Sequence, residues 1–203
     1  MTEPFNPLAM ESLASSIVQQ LLRNPPVPLS NIQKFYGAGL YAIYYAGSFP
    51  AYEVIREQNI NGKWSLPIYV GRAVSPGSRR GLIVGEGIKS TALYSRIREH
   101  AKSITAVNNL DIDDFYVRWL VVEDIWIPLG ETALIRATKP VWNAVLDGFG
   151  NHDPGKGRRK GAVSPWDTVH RGRKWAEKHE PADKLVEEAL LKDIIQYLRE
   201  RHR

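Results

Sequence analysis

Two tyrosines stand in short, glycine-containing stretches, Gly39-Leu40-Tyr41-Ala42-Ile43-Tyr44-Tyr45 and Pro67-Ile68-Tyr69-Val70-Gly71-Arg72. Further along come Arg96 and His100, then Glu131, then Asn143 within Lys139-Pro140-Val141-Trp142-Asn143. A tyrosine or a histidine can orient or deprotonate a water. An arginine clamps a phosphate with its planar fork of donors. One carboxylate is enough for a hard divalent cation that keeps several of its waters. Hydrolysis of a phosphodiester asks for these abilities together: an oriented water, charge stabilisation on the non-bridging oxygens, and help for the leaving alkoxide.

The elements that must position these residues are legible from spacing. The tyrosine stretches are aromatic and β-branched and read as strands over about 39–46 and 67–72. A third strand is expected over 115–123, where Val117, Trp119 and Val121 alternate with Tyr116, Leu120 and Val122. With both faces apolar, it is expected at the centre of the sheet. Helices are expected at 8–22, 91–103, 129–138 and 181–201, each with apolar residues near helical spacing. Arg96 and His100, four apart, share one helix face beside the stripe Leu93, Ile97, Ala101. Glu131 falls at the start of its helix, which Lys139-Pro140 closes.

Asn24-Pro25-Pro26-Val27-Pro28 reads as a stiff connector. Residues 47–66 read as an insertion with a short helix near Tyr52–Gln58 and a turn at Asn61-Gly62. The expected fold class is α/β (α+β), a small central, mostly antiparallel three-stranded sheet flanked by helices. One domain over 1–203 is expected, with a core at about 39–143. The 8–22 helix, the 47–66 insertion and a basic region at 147–203 elaborate that core. The stripes of the first and last helices suit a core or a dimer surface equally.

Composition narrows the chemistry. With no cysteine there is no disulfide framework and no thiolate nucleophile or metal ligand. No apolar run approaches the ~20 residues that span a bilayer, and Met1-Thr2-Glu3-Pro4-Phe5 lacks the features of a signal peptide. Cytoplasm, with no membrane association, is therefore expected. Residues 151–174 hold seven basic residues against two acidic ones, an excess that equals the net charge of the whole chain, +5. Such a local patch suits a polyanion, and a solvated loop accounts for it equally well. Lys156, Arg158, Arg159, Lys160, Arg171 and Arg173 are candidate DNA contacts, as are Arg79 and Arg80 in the Gly/Ser-rich 75–90 stretch. Arginines suit guanine O6 and N7 in the major groove. Trp119, Trp126 and Trp142 are expected in the core, and Trp166 and Trp175 to pack rather than stack on bases.

In order and type, these residues resemble the GIY-YIG nuclease family over about 39–143. Leu40 and Val70 stand where the family usually has isoleucine. The resemblance implies Tyr41 as the residue that activates or positions the water, assisted by His100, with Tyr69 supporting the attack geometry. It implies Arg96 on the scissile phosphate, Glu131 as ligand of one Mg²⁺ per active site (Mn²⁺ able to substitute), and Asn143 fixing the site. The 42–68 interval between the tripeptides is long for the family. With the 157–173 segment, it is similar to the homodimeric type II restriction endonucleases that cut the palindrome CCGCGG. That branch implies double-stranded DNA as substrate, 5′-phosphate and 3′-hydroxyl ends, a homodimer matching the palindrome, and a cognate DNA methyltransferase as a genetic companion. A structure-specific repair or mobile-element nuclease with the same site, or a non-catalytic DNA-binding module, are the alternatives.

Other chemistries fit less well. His152, His170 and His179 are wrongly spaced for a compact ββα-metal site. Glu123 lacks a lysine two residues on, and no Gly-x-Ser-x-Gly elbow occurs.

Overall fold

The computed structural model describes residues 9–75, 90–153, 162–179 and 186–201. Its sheet has four antiparallel strands, β1 (Val27–Pro28), β2 (Gly39–Tyr45), β3 (Pro67–Ala73) and β4 (Phe115–Val121), in the order β1-β4-β2-β3. The three expected strands are all there. The fourth corrects the reading of 24–28 as a mere connector, since Val27 pairs with Val117 and Pro28 with Tyr116. A proline cannot donate to a ladder, but an edge strand leaves one side free and tolerates it.

Every residue of β2 is buried. Its side-chain alternation sorts it cleanly: Tyr41, Ile43 and Tyr45 enter the main core, while Leu40, Ala42 and Tyr44 enter a smaller cluster on the other face. β4 is interior as expected, between β1 and β2, but the strand fully covered on both faces is β2. β4 lies next to it, but only the two-residue β1 flanks its far side, and Val121 at its end is 45% exposed.

Among the described residues seven α-helices cover the sheet: α1 (Met10–Arg23), α2 (Glu53–Asn59), α3 (Ala92–Thr105), α4 (Ile127–Thr138), α5 (Val141–Ala144), α6 (Pro165–Val169) and α7 (Glu187–Arg201). Leu21 of α1 and Ile127 and Leu134 of α4 close the smaller cluster. Helices α3, α5, α6 and α7 close the main core with Leu93, Ile97, Trp142, Trp166, Ile194 and Leu198. Leu21 of the first stripe and Leu190, Ile194 and Leu198 of the last thus go into the core, whereas Leu22 and Val186 are exposed. Trp142 and Trp166 are buried as expected, whereas Trp126 reaches the surface. Among the described residues no helix is long and apolar enough to cross a membrane.

The insertion is built into the core rather than draped over it. Buried Asn59 donates to the carbonyls of Tyr45 and Leu66, and its own amide oxygen accepts from the Leu66 N–H. One side chain so ties both ends of the insertion together. Tyr52 then reaches the C-terminal region, 2.6 Å from His170 Nε2, and accepts from Trp142 Nε1 at 2.8 Å.

Candidate active site

Tyr41 lies at the middle of β2, and the register sets it opposite Gly71 of β3. The two motif stretches explain each other through this pairing. A Cβ at residue 71 would come within 2.3 Å of the Tyr41 hydroxyl, so only glycine leaves room for that ring. Tyr69 follows an irregularity in the ladder: Ile43 pairs with Tyr69 and Tyr44 with Pro67, which leaves Ile68 as the extra residue. Such a bulge re-aims the neighbouring side chain, and here Ile68 and Tyr69 both meet the main core.

Helix α3 supplies Arg96 and His100 one turn apart. His100 is buried, and its Nε2 lies 2.6 Å from the Tyr41 hydroxyl. The Tyr69 ring centroid is 5.1 Å from that of His100 and 6.2 Å from that of Tyr41. Burial first, and then the neighbouring Tyr69, raise the Tyr41 phenol well above its ordinary value. Burial also raises Tyr69. Burial, reinforced by Arg96, His152 and Arg173, lowers His100 well below its ordinary value. Tyr41 and His100 are both neutral as a result, and the 2.6 Å contact is a hydrogen bond between a phenol and a neutral imidazole.

Arg96 Nη2 donates to the carbonyl of Gly150 at 2.9 Å, and Nη1 contacts His152. Phe149 stacks on His100 with centroids 4.5 Å apart and planes 22° apart. A Cβ at Gly150 would stand 2.9 Å from the Tyr69 hydroxyl and 3.4 Å from Arg96 Nη2, so the backbone passes close over both.

Asn143 reaches the site from behind. The turn that ends α4, with Lys139 in the left-handed region (φ 41, ψ 62) before Pro140, sends α5 along the outer edge of β3. There the Asn143 amide oxygen accepts from Val70 N–H at 2.8 Å, and its nitrogen donates to Val70 O at 2.9 Å. A side-chain amide stands in for a neighbouring strand, between Tyr69 and Gly71.

Glu131 sits in the second turn of α4 rather than at the helix start. Its Oε2 lies 3.1 Å from Arg72 Nε. Partial burial raises the carboxyl above its ordinary value, and Arg72 opposes that. Its partner Arg72 follows Gly71 on β3, and the charge of Glu131 adds a lesser push to the raised Tyr69. Among the described residues no three His, Asp or Glu side chains gather as a metal cage. The donor chemistry is that of one hard, partly buried carboxylate, and it fits an ion that keeps most of its water.

The structure thus brings Tyr41, Tyr69, Arg96 and His100 into one cluster, with Asn143 behind it and Glu131 beside it. Sequence reading overlooked Arg72, Phe149 and Gly150, and considered His152 only for a different metal site. The position of Arg72 directly after the second motif was the available signal.

The basic candidates divide. Arg79, Arg80, Lys156, Arg158, Arg159 and Lys160 lie outside the described residues. Arg171 is exposed. Arg173 is a correction: it is only 3% exposed and forms a buried ion pair with Asp167 at 2.6 Å, so its fork is not free to read bases. His170 is likewise engaged, between Tyr52 and Asn109 Oδ1 at 2.9 Å, which removes it from any metal-ligand set.

A four-stranded antiparallel sheet that meets α3 over paired tyrosines, an arginine and a histidine is consistent with a GIY-YIG nuclease. A family model described as the Eco29kI GIY-YIG domain matches residues 33–198, most of the chain. The chain belongs to this family of restriction endonucleases and is a site-specific nuclease acting on DNA. A search of curated proteins finds no match.

Proposed function

We propose that this chain is a type II restriction endonuclease that hydrolyses double-stranded DNA at a short GC-rich palindrome, CCGCGG, leaving 5′-phosphate and 3′-hydroxyl ends. The carrying observation is the convergence of Tyr41, Tyr69, Arg96 and His100, far apart in sequence, around one 2.6 Å hydrogen bond. The specific palindrome rests on the resemblance of the chain to that branch, as does a homodimer whose two-fold axis matches the site.

In this reading Tyr41 holds the attacking water through its hydroxyl oxygen while its proton points at His100. Neutral His100 can accept that proton as the water loses one, so the charge formed rests on the His100 imidazolium and not on a phenolate. Arg96 stabilises the charge that builds on the scissile phosphate. Tyr69 completes the wall against which the water is aligned, and Asn143 fixes the β3 backbone that carries it. Glu131 would hold one Mg²⁺, with Mn²⁺ as a substitute, and such an ion supplies charge neutralisation at the phosphate and leaving oxygen. Arg72, paired with the same carboxylate, would have to share Glu131 with such an ion. Arg171, and the basic residues of 79–80 and 156–160, contact the duplex.

Digestion of a sequenced plasmid in Mg²⁺ and in EDTA, beside a Glu131→Ala variant, tests this reading. Discrete fragments that need Mg²⁺ and vanish in the variant are expected, and their ends name the site. A smear or nicks would favour a repair or mobile-element nuclease. Mg²⁺-independent cleavage, or full activity in the variant, would remove Glu131 from the site.

A further inference from the structure

Arg173 is the most heavily engaged polar side chain among the described residues, and nothing in the proposed chemistry uses it directly. Its Nε and Nη2 each donate to one oxygen of Asp167 at 2.6 Å. Nη2 also donates to Gly148 O at 3.0 Å, and Nη1 donates to Phe149 O at 3.1 Å and Asn151 O at 3.3 Å. A guanidinium has five N–H donors, and all five are used. The group also packs on the rings of Trp166 and Trp175, with its central carbon 4.5 and 4.6 Å from the centroids. Asp167 is fixed in turn, since Ser164 Oγ donates to its Oδ2 at 2.7 Å.

The three carbonyls gathered by Arg173 belong to one short turn, and that turn is the lid of the site. Phe149 stacks on His100, and the carbonyl of Gly150, between two of the clamped ones, takes the hydrogen bond of Arg96 Nη2. A buried ion pair of this kind contributes little net stability when its desolvation is counted. A hydrophobic side chain could fill the space. None could aim three consecutive-turn carbonyls at once.

We propose that Arg173, locked to Asp167, is a positioning residue that sets the 148–151 turn and, through it, the orientation of Arg96 and His100. The inference rests on the active-site reading above. Lysine cannot replace arginine here, because one ammonium has neither the planar fork nor enough donors.

The test is Arg173→Lys in plasmid cleavage, read as kcat against KM, with thermal melts to show that it folds. A turn displaced by a fraction of an ångström should lower kcat by roughly tenfold to a hundredfold, while KM for the plasmid stays within about threefold. Millimolar guanidinium, and not methylammonium, should restore part of kcat to Arg173→Ala. If Arg173→Lys does not fold, Asp167→Asn takes its place with the same expected split. A folded variant with wild-type kcat, a rise in KM alone, or rescue by neither cation would each overturn the proposal. Arg96→Ala separates the two layers: if it cleaves normally the site assignment fails, and if it is inactive while Arg173→Lys is normal only the clamp fails.

Discussion

Tyr41 and His100, 59 residues apart in sequence, share a hydrogen bond of 2.6 Å, and both side chains are buried. Burial pushes the phenol up and the imidazole down, so both are neutral. A proton passed from the water through Tyr41 to His100 would leave its charge on the buried imidazolium, the form that burial disfavours, rather than on a phenolate. Tyr41→Phe fills the same space and removes only the hydroxyl, so the fold should be retained. Its kcat should fall by about 10²–10⁴ if the hydroxyl handles the water. Because protonated His100 cannot accept, the acid limb of kcat should fall below the ordinary histidine value of about 6.5, and His100→Gln should abolish that limb. Pre-steady-state cleavage across pH with both variants checks this. A Tyr41→Phe enzyme of normal rate would exclude the hydroxyl from the chemistry.

The pairing of Tyr41 with Gly71 is a second, purely steric requirement. In Gly71→Ala the new methyl would meet the tyrosine oxygen at 2.3 Å and its Cζ at 2.5 Å. The ring cannot swing away without leaving His100. We expect overpacking to cost about 1–3 kcal/mol and cleavage to fall as far as in Tyr41→Phe. Urea unfolding and cleavage rates on one preparation measure both. Loss of stability with full activity would show that the ring has room to move.

Asn143 makes its contribution through backbone. Asn143→Ala would strand Val70 N–H and C=O on a covered edge, at about 1–3 kcal/mol for each unpaired group. Asn143→Asp is more telling. It keeps the acceptor for Val70 N–H but turns a carboxylate oxygen toward Val70 O, so at neutral pH it should be nearly as destabilising as alanine. An aspartate variant as stable as wild type in urea would mean that the edge is held by other contacts.

How much of this was legible in the sequence depended on what fixes each residue. Tyr41, Tyr69, Arg96, His100, Glu131 and Asn143 could be singled out because chemistry constrains their type, and strands and helices around them follow from apolar period. Arg173 could not be read, because the sequence shows its charge but not the Asp167 carboxylate and the two tryptophans that fold around it. The same limit hid Arg72, whose partner Glu131 is on another element. Strand β1 was missed for a different reason: two residues are too few to show an alternation, and prolines surround them.

His170 offers a measurement of the fold rather than of catalysis. Its Nε2 accepts from the Tyr52 hydroxyl at 2.6 Å, which leaves Nδ1–H to donate to Asn109 Oδ1 at 2.9 Å. A second ring proton would face the Tyr52 donor with no acceptor. Burial, and after it the charge of Arg173, lower this histidine to about 3. In the unfolded chain it titrates near 6.5, so between about 6.5 and 3 the unfolded state binds a proton that the folded state refuses. Stability is therefore full above 6.5 and declines as pH falls, by about 1.4 kcal/mol per pH unit for this one group. His100, shifted the same way, steepens the decline. Glutamine at 170 can bond to Tyr52 and Asn109 but cannot titrate. Urea-unfolding free energies of wild type and His170→Gln between pH 7 and 4.5 should therefore diverge in slope by about one proton. Parallel curves would mean that the buried ring is protonated at little cost, and that the Tyr52 bond can invert or break within the folded protein.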